Sequence, residues 1–192
     1  MPRPIRDQIL PYLKKNLPPQ RLGHVMGVAA LARKIAGRHG LNAGSAELAG
    51  LLHDAAKYWK PENLIQYVKK YRLKVPDMKI TLQTPEVLHG YVSAHLAKML
   101  FGVKHPEILS AIARHTLGSE KMGPLDRCVY IADFAAPDRK YSQADRLRRL
   151  AMKDLNRAFV EGVRIKVTYM MQCGRRIHPE TLRMWNRLME AA

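Results

Sequence analysis

The chain has 192 residues, enough for one domain with a sizeable core and too few for two of ordinary size. Lys plus Arg number 33 against 16 Asp plus Glu, a formal charge of +17 that favours anionic partners such as phosphates, nucleic acid or acidic lipid and says nothing of fold. Cys128 and Cys173 match no zinc or disulfide framework, no stretch approaches the roughly 18 apolar residues of a membrane span, and the N-terminus has no apolar signal core, so a cytoplasmic protein with no membrane partner is expected.

In chain order, a short helix over 3–16 stops before "LPPQ". From Arg21 to His39 the residues Val25, Val28, Leu31, Ala32 and Ile35 form a helical apolar stripe, ended by Gly40. A helix over 45–57 starts at Ser45 and carries "LLHDAAK". "PENLIQYVKKY" opens with Pro61 and Glu62, as a helix N-terminus should. "RLKVPDMKITLQ", 72–83, is irregular and reads as a surface loop. "TPEVLHGYVSAHLAKMLF" predicts a helix capped by Thr84, and "HPEILSAIARHT" repeats the device. Further helices are expected from Pro124 to Phe134, over "SQADRLRRLA", from Asp154 to Cys173, and from "HPETLRMWNRL" onward. Period-two alternation is nowhere convincing. The fold class expected is therefore all-α, a single helical bundle, with Tyr130, Tyr169 and Trp185 at core positions.

Polar residues interrupt five of these apolar faces. His24 shares a stripe with Val28, Leu31 and Ile35; His89 sits with Val92 and Leu96; His115 follows Ile108 and Ile112; His53 lies one turn past Ala49 and Gly50; Asp133 lies one turn past Val129. One histidine on an apolar face is more often a hydrogen-bonded core residue. Asp54 alone could pair with Lys57, and Asp133 alone could cap the turn to Pro137. Five such intrusions read better as one site at the centre of a bundle. Asp54 and Asp133 would balance a divalent cation, and neutral His24 and His53 would complete four ligands. Imidazole with carboxylate suits iron, manganese or zinc.

This order of residues, a His, a later His-Asp doublet and a distant Asp, resembles the HD-domain metal-dependent phosphohydrolases. The segments "RLGHVMGVA", "LAGLLHDAAK", "PEVLHGYVSAHLA", "AIARHTLG", "LDRCVYIADFAAPDR" and "IHPETLRMWN" look like the YqeK-type bacterial HD proteins. The resemblance implies an HD domain over 21–192 behind an N-terminal helix and lead-in over 1–20. It implies symmetrical hydrolysis of diadenosine tetraphosphate to two ADP by metal-activated water, with iron as the metal. By position, the ligands fall on His24, His53, Asp54 and Asp133. The nucleotide contacts fall on Arg21, His89, His115 with Thr116, and Arg139. Leu117 stands where the family often has a second Thr.

The residues give each of these positions a chemical task. Asp54 could orient water or take its proton, while His89 and His115 could neutralise phosphoryl oxygens or protonate the leaving group. Arg21 and Arg139 offer forked donors to phosphate, and Lys57 a point charge. His89 and His115 could equally bind a second metal, so one ion or two remains open. The other arginines, at helical spacing in "DRLRRLAMKDLNR" and "CGRRIHPETLR", read as a solvated face. A different HD-domain nucleotide phosphohydrolase or phosphodiesterase is the close variant of this reading; no nucleic-acid motif accompanies the arginines, so a nucleotide-sensing nucleic-acid-binding protein is the weaker alternative to an enzyme. The sequence leaves a homodimer open.

Overall fold

The computed structural model describes residues 3–190, and among them all regular structure is helical. The helices are α1 (Arg3–Asn16), α2 (Pro19–Arg38), α3 (Ala43–Leu52), α4 (Pro61–Lys70), α5 (Met78–Thr81), α6 (His89–Phe101), α7 (Pro106–Arg114), α8 (Pro124–Phe134), α9 (Ala144–Lys153), α10 (Leu155–Gln172) and α11 (Pro179–Glu190). Proline occupies the first turn of α2, α4, α7 and α8, where its missing N–H removes a donor that the helix could not satisfy anyway. Side chains cap two further starts, those of α3 and α10. Asn42 accepts from the Ser45 amide at 2.8 Å, and Asp154 from the Arg157 amide at 2.9 Å.

Three boundaries differ from expectation. Asn42, not Ser45, caps α3, which ends at Leu52, so His53 and Asp54 lie in the turns after it. The segment expected as one helix from Thr84 is a 3₁₀ turn over Pro85–Leu88 followed by α6, with the junction at His89. The expected loop over 72–83 contains α5. The first two departures have one effect: they place functional histidines at helix ends, where the ring can reach back to a carbonyl.

Helix α2 packs along α3 and against α8, α7 lies between α6 and α8, and α10 covers α8 and α9. Ile9, Leu13 and Leu17 bring α1 and its exit into the same core as Val28, Ile35, Val129 and Phe159. A smaller cluster of Ala56, Leu64, Val68, Leu88, Val92 and Leu96 seats α4 on α6. Tyr130 is buried and Trp185 packs against the core as expected. Tyr169 does not: it is 51% exposed and lines the open cavity that also contains Asp54 and Asp133.

Two glycines allow the approach that assembles the centre of the bundle. A Cβ on Gly50 would lie 2.9 Å from Ala29 Cα, so α3 sits on α2 backbone to backbone. A Cβ on Gly90 would lie 2.9 Å from the Ala113 carbonyl oxygen and 3.3 Å from His115 Cε1, which brings the start of α6 onto the end of α7. Gly50→Ala should destabilise the protein by about 1–3 kcal/mol in urea unfolding, since backbone cannot rotate out of the way. Gly37→Ala, in α2 with nothing within 4 Å of the new carbon, should be neutral or stabilising by up to about 1 kcal/mol. Equal stability of the two variants would contradict the close approach.

Candidate metal centre

Three of the four central histidines share one local device. His53 Nδ1 lies 2.6 Å from the Gly50 carbonyl, His115 Nδ1 lies 2.7 Å from the Ile112 carbonyl, and His89 Nδ1 bonds the Glu86 carbonyl. Each acceptor is three residues earlier at a helix or 3₁₀ end. A carbonyl oxygen can only accept, so each Nδ1 carries a proton and each ring turns its Nε2 inward. His24 reaches the same state differently. Its Nδ1 lies 2.9 Å from Asp138 Oδ1, and a carboxylate on the outer nitrogen fixes tautomer and orientation.

The inner nitrogens meet two carboxylates. His24 Nε2 is 3.0 Å from Asp133 Oδ1, and His53 Nε2 is 3.4 Å from Asp54 Oδ2 and 3.8 Å from Asp133 Oδ1. His53 Nε2 is buried with no hydrogen-bond partner. On the other side of Asp54, Oδ1 is 3.0 Å from His89 Nε2 and 3.6 Å from His115 Nε2, and the two imidazole nitrogens are 3.0 Å apart. Thr116 Oγ1 stands 2.9 Å from His115 Nε2 and 3.3 Å from His89 Nε2. Arg21 donates to Asp54 Oδ2 at 3.0 Å, and Arg139 to Asp133 Oδ1 at 2.8 Å.

Burial works against charge throughout this centre, and specific neighbours reverse it for the acids. Burial would raise the Asp54 pKa, yet His53, His115 and His89 hold its carboxyl well below the usual range. Burial opposes ionisation of Asp133 too, and His24, His53 and Arg139 outweigh it, so this acid is also held low. For His53, burial disfavours the proton, but Asp54 and Asp133 reverse the balance and raise its pKa. Burial carries His115 down to about 4, which keeps its ring neutral at neutral pH.

The structure brings every sequence-predicted site residue to one place. The ligand atoms of His24, His53 and Asp133 lie within 4.8 Å of one another, as do those of His53, Asp54 and His115, and His53 joins the two groups. Asp54, Lys57, His115, Thr116, Asp133 and Arg139 line one cavity of about 800 Å³. Asp54 takes Arg21 as its cation rather than Lys57. The donor set of imidazole lone pairs and ionised carboxylates, with an orphaned Nε2 among them, fits a divalent cation. Asp138 is absent from the sequence reading. Its only sequence signal is its place before Arg139 in "APDR", where an Asp in a turn has a sufficient local explanation.

Comparison with known proteins agrees with this geometry. The HD domain family model matches residues 21–137. The chain is 32% identical over 187 residues to a Bacillus subtilis protein named bis(5'-nucleosyl)-tetraphosphatase, symmetrical, covering 97% of this chain and 99% of that one. It is 28% identical to a protein of the same name from Halalkalibacterium halodurans, covering 96% and 97%. Among solved structures, a Clostridium acetobutylicum protein described as an HD superfamily hydrolase involved in NAD metabolism superimposes with a TM-score of 0.91 at 31% identity, covering 97% of this chain and 98% of the other. The chain thus has full-length counterparts, and it belongs to the HD-domain family, in the YqeK-type group of the symmetrical bis(5'-nucleosyl)-tetraphosphatases.

Proposed function

We propose that the protein is a cytoplasmic hydrolase that cleaves diadenosine tetraphosphate symmetrically to two ADP, with iron held by His24, His53, Asp54 and Asp133. The observation that carries the reading is the inward convergence of imidazole lone pairs on two carboxylates, a set of acceptors that calls for a cation. The chemistry a divalent ion supplies in such a site is a lowered water pKa and polarisation of a phosphoryl oxygen. Asp54 orients the attacking water and takes its proton. The new P–O bond forms as the central P–O–P bridge breaks, and ADP leaves with a proton.

The cations have separable tasks. Arg21 and Arg139 each use one edge of the guanidinium to hold a carboxylate, which leaves other N–H groups to fork onto phosphate. Lys57 faces the same cavity with no carboxylate partner among the described residues. His89, His115 and Thr116 form a polar cluster, in which the Thr116 hydroxyl can donate to a histidine Nε2, beside the phosphoryl oxygens and the departing oxygen. His115 enters this cluster neutral with its Nδ1 proton on the Ile112 carbonyl, so its Nε2 acts as an acceptor of a hydrogen bond or a proton rather than as a fixed positive charge.

The purified protein should release ADP alone from diadenosine tetraphosphate, lose turnover with chelator and regain it with iron or manganese. ATP and AMP in equal amounts would refute symmetrical cleavage. His53→Ala and Asp133→Ala should stay folded by circular dichroism yet lose most bound metal by elemental analysis; full metal content in both would remove them from the ligand set. Asp138→Asn should leave all four ligands in place but weaken metal binding by about 10- to 100-fold. His115→Ala should lower kcat by ~10²-fold with the metal still bound. An effect confined to KM would make His115 a ground-state contact, and unchanged turnover would leave it a core histidine.

A further inference from the structure

Two polar groups in the cavity wall have no task in the metal centre. Tyr130, in α8 one turn before Asp133, is 2% exposed, and its hydroxyl has no hydrogen-bond partner. A buried hydroxyl without a partner is costly, and Phe would fill the same volume without that cost. Tyr130 nevertheless lines the open cavity that contains Asp54, Thr116 and Asp133.

Lys166, in α10, lines the same cavity. Its Nζ donates to the Thr116 carbonyl and lies 5.2 Å from the centre of the Tyr130 ring. No carboxylate pairs with it among the described residues, and that hydrogen bond is its single one, so two of its three donors remain free. The neighbouring arginines are already committed, Arg21 to Asp54 and Arg139 to Asp133. A crowded ammonium without a counter-ion costs more than an orphan hydroxyl, and here the two stand side by side at one wall. Burial, reinforced by Lys57, brings the Lys166 pKa down to about 8, with Asp133 pulling the other way, so the group is still mostly charged at neutral pH.

We propose that Tyr130 and Lys166 form an anion subsite beside the metal centre, in which Tyr130 Oη donates a hydrogen bond and Lys166 Nζ supplies the charge that hold a phosphate of the polyphosphate chain other than the one attacked. The inference deepens the hydrolase reading and rests on its phosphate-bearing substrate. A tetraphosphate extends beyond the cleaved bridge on both sides, and the two free donors next to Thr116 meet it one residue away from the His89–His115 cluster. The contact is made equally in ground and transition states, so it acts on binding rather than on the chemical step.

The test uses full-length metal-loaded protein and the isosteric variant Tyr130→Phe, together with Lys166→Met. Calorimetric binding of inorganic pyrophosphate should weaken by about 10-fold or more in each variant, as loss of a hydrogen bond or ion contact to a charged group does. KM for diadenosine tetraphosphate should rise by a similar factor with kcat within about twofold of wild type. Metal content should not change, and thermal stability of Tyr130→Phe should be equal or higher. Weakened pyrophosphate binding in a protein that fails to cleave diadenosine tetraphosphate would keep the subsite and refute the proposed substrate. Pyrophosphate affinity within twofold of wild type in Tyr130→Phe, or no measurable binding by wild type, would overturn the subsite whatever the activity.

Discussion

Everything at the centre of this molecule depends on where four imidazoles put their outer protons. Gly50, Glu86 and Ile112 each offer a carbonyl at the end of a helical segment, and Asp138 offers a carboxylate, so each Nδ1 is committed. The inner nitrogens then face one another and two ionised acids. Groups packed at 3.0 Å in this way need a shared proton or a metal cation among them. The arginines that reach Asp54 and Asp133 relieve part of this charge from outside, and His53 Nε2 remains without a partner. Folding thereby stores an affinity for a cation in the arrangement of helix ends.

The helices can hold these rings close only because two positions carry no side chain. Gly50 brings α3 against the α2 backbone at Ala29, which sets His53 beside His24, with ring centres 5.6 Å apart. Gly90 lets the end of α7 meet the start of α6, which sets His115 beside His89 at 5.0 Å. Apolar packing of Val28, Ile112, Val129 and their neighbours drives the assembly. The glycines decide how near the polar groups come.

Much of this was legible in the sequence. Helical periodicity and proline at helix starts locate most elements, and His24, His89 and Asp133 stand out because they interrupt apolar stripes. His53–Asp54 was legible as a doublet after Ala49 and Gly50, although its position just beyond the helix was not, because Ala55 and Ala56 continue the apolar run. The 3₁₀ turn before His89 was hidden for a similar reason: "PEVLHGYV" satisfies the pattern of an ordinary helix start. Asp138, Tyr130 and Lys166 carry no periodic signal. Asp138 resembles a turn residue, Tyr130 a core aromatic and Lys166 one cation among 33 Lys and Arg, and only three-dimensional proximity distinguishes them. Tyr169 shows the opposite failure, an aromatic at a helical apolar position that lines the open cavity instead of the core.

The proposed cation site lies where the His24, His53, Asp54 and Asp133 side chains converge. Anomalous diffraction from crystals of the protein purified with its native metal, recorded on both sides of the iron absorption edge, addresses it directly. A peak is expected among those four side chains that vanishes below the edge. A map with no peak there, or with its strongest peak bound by other residues, would contradict it.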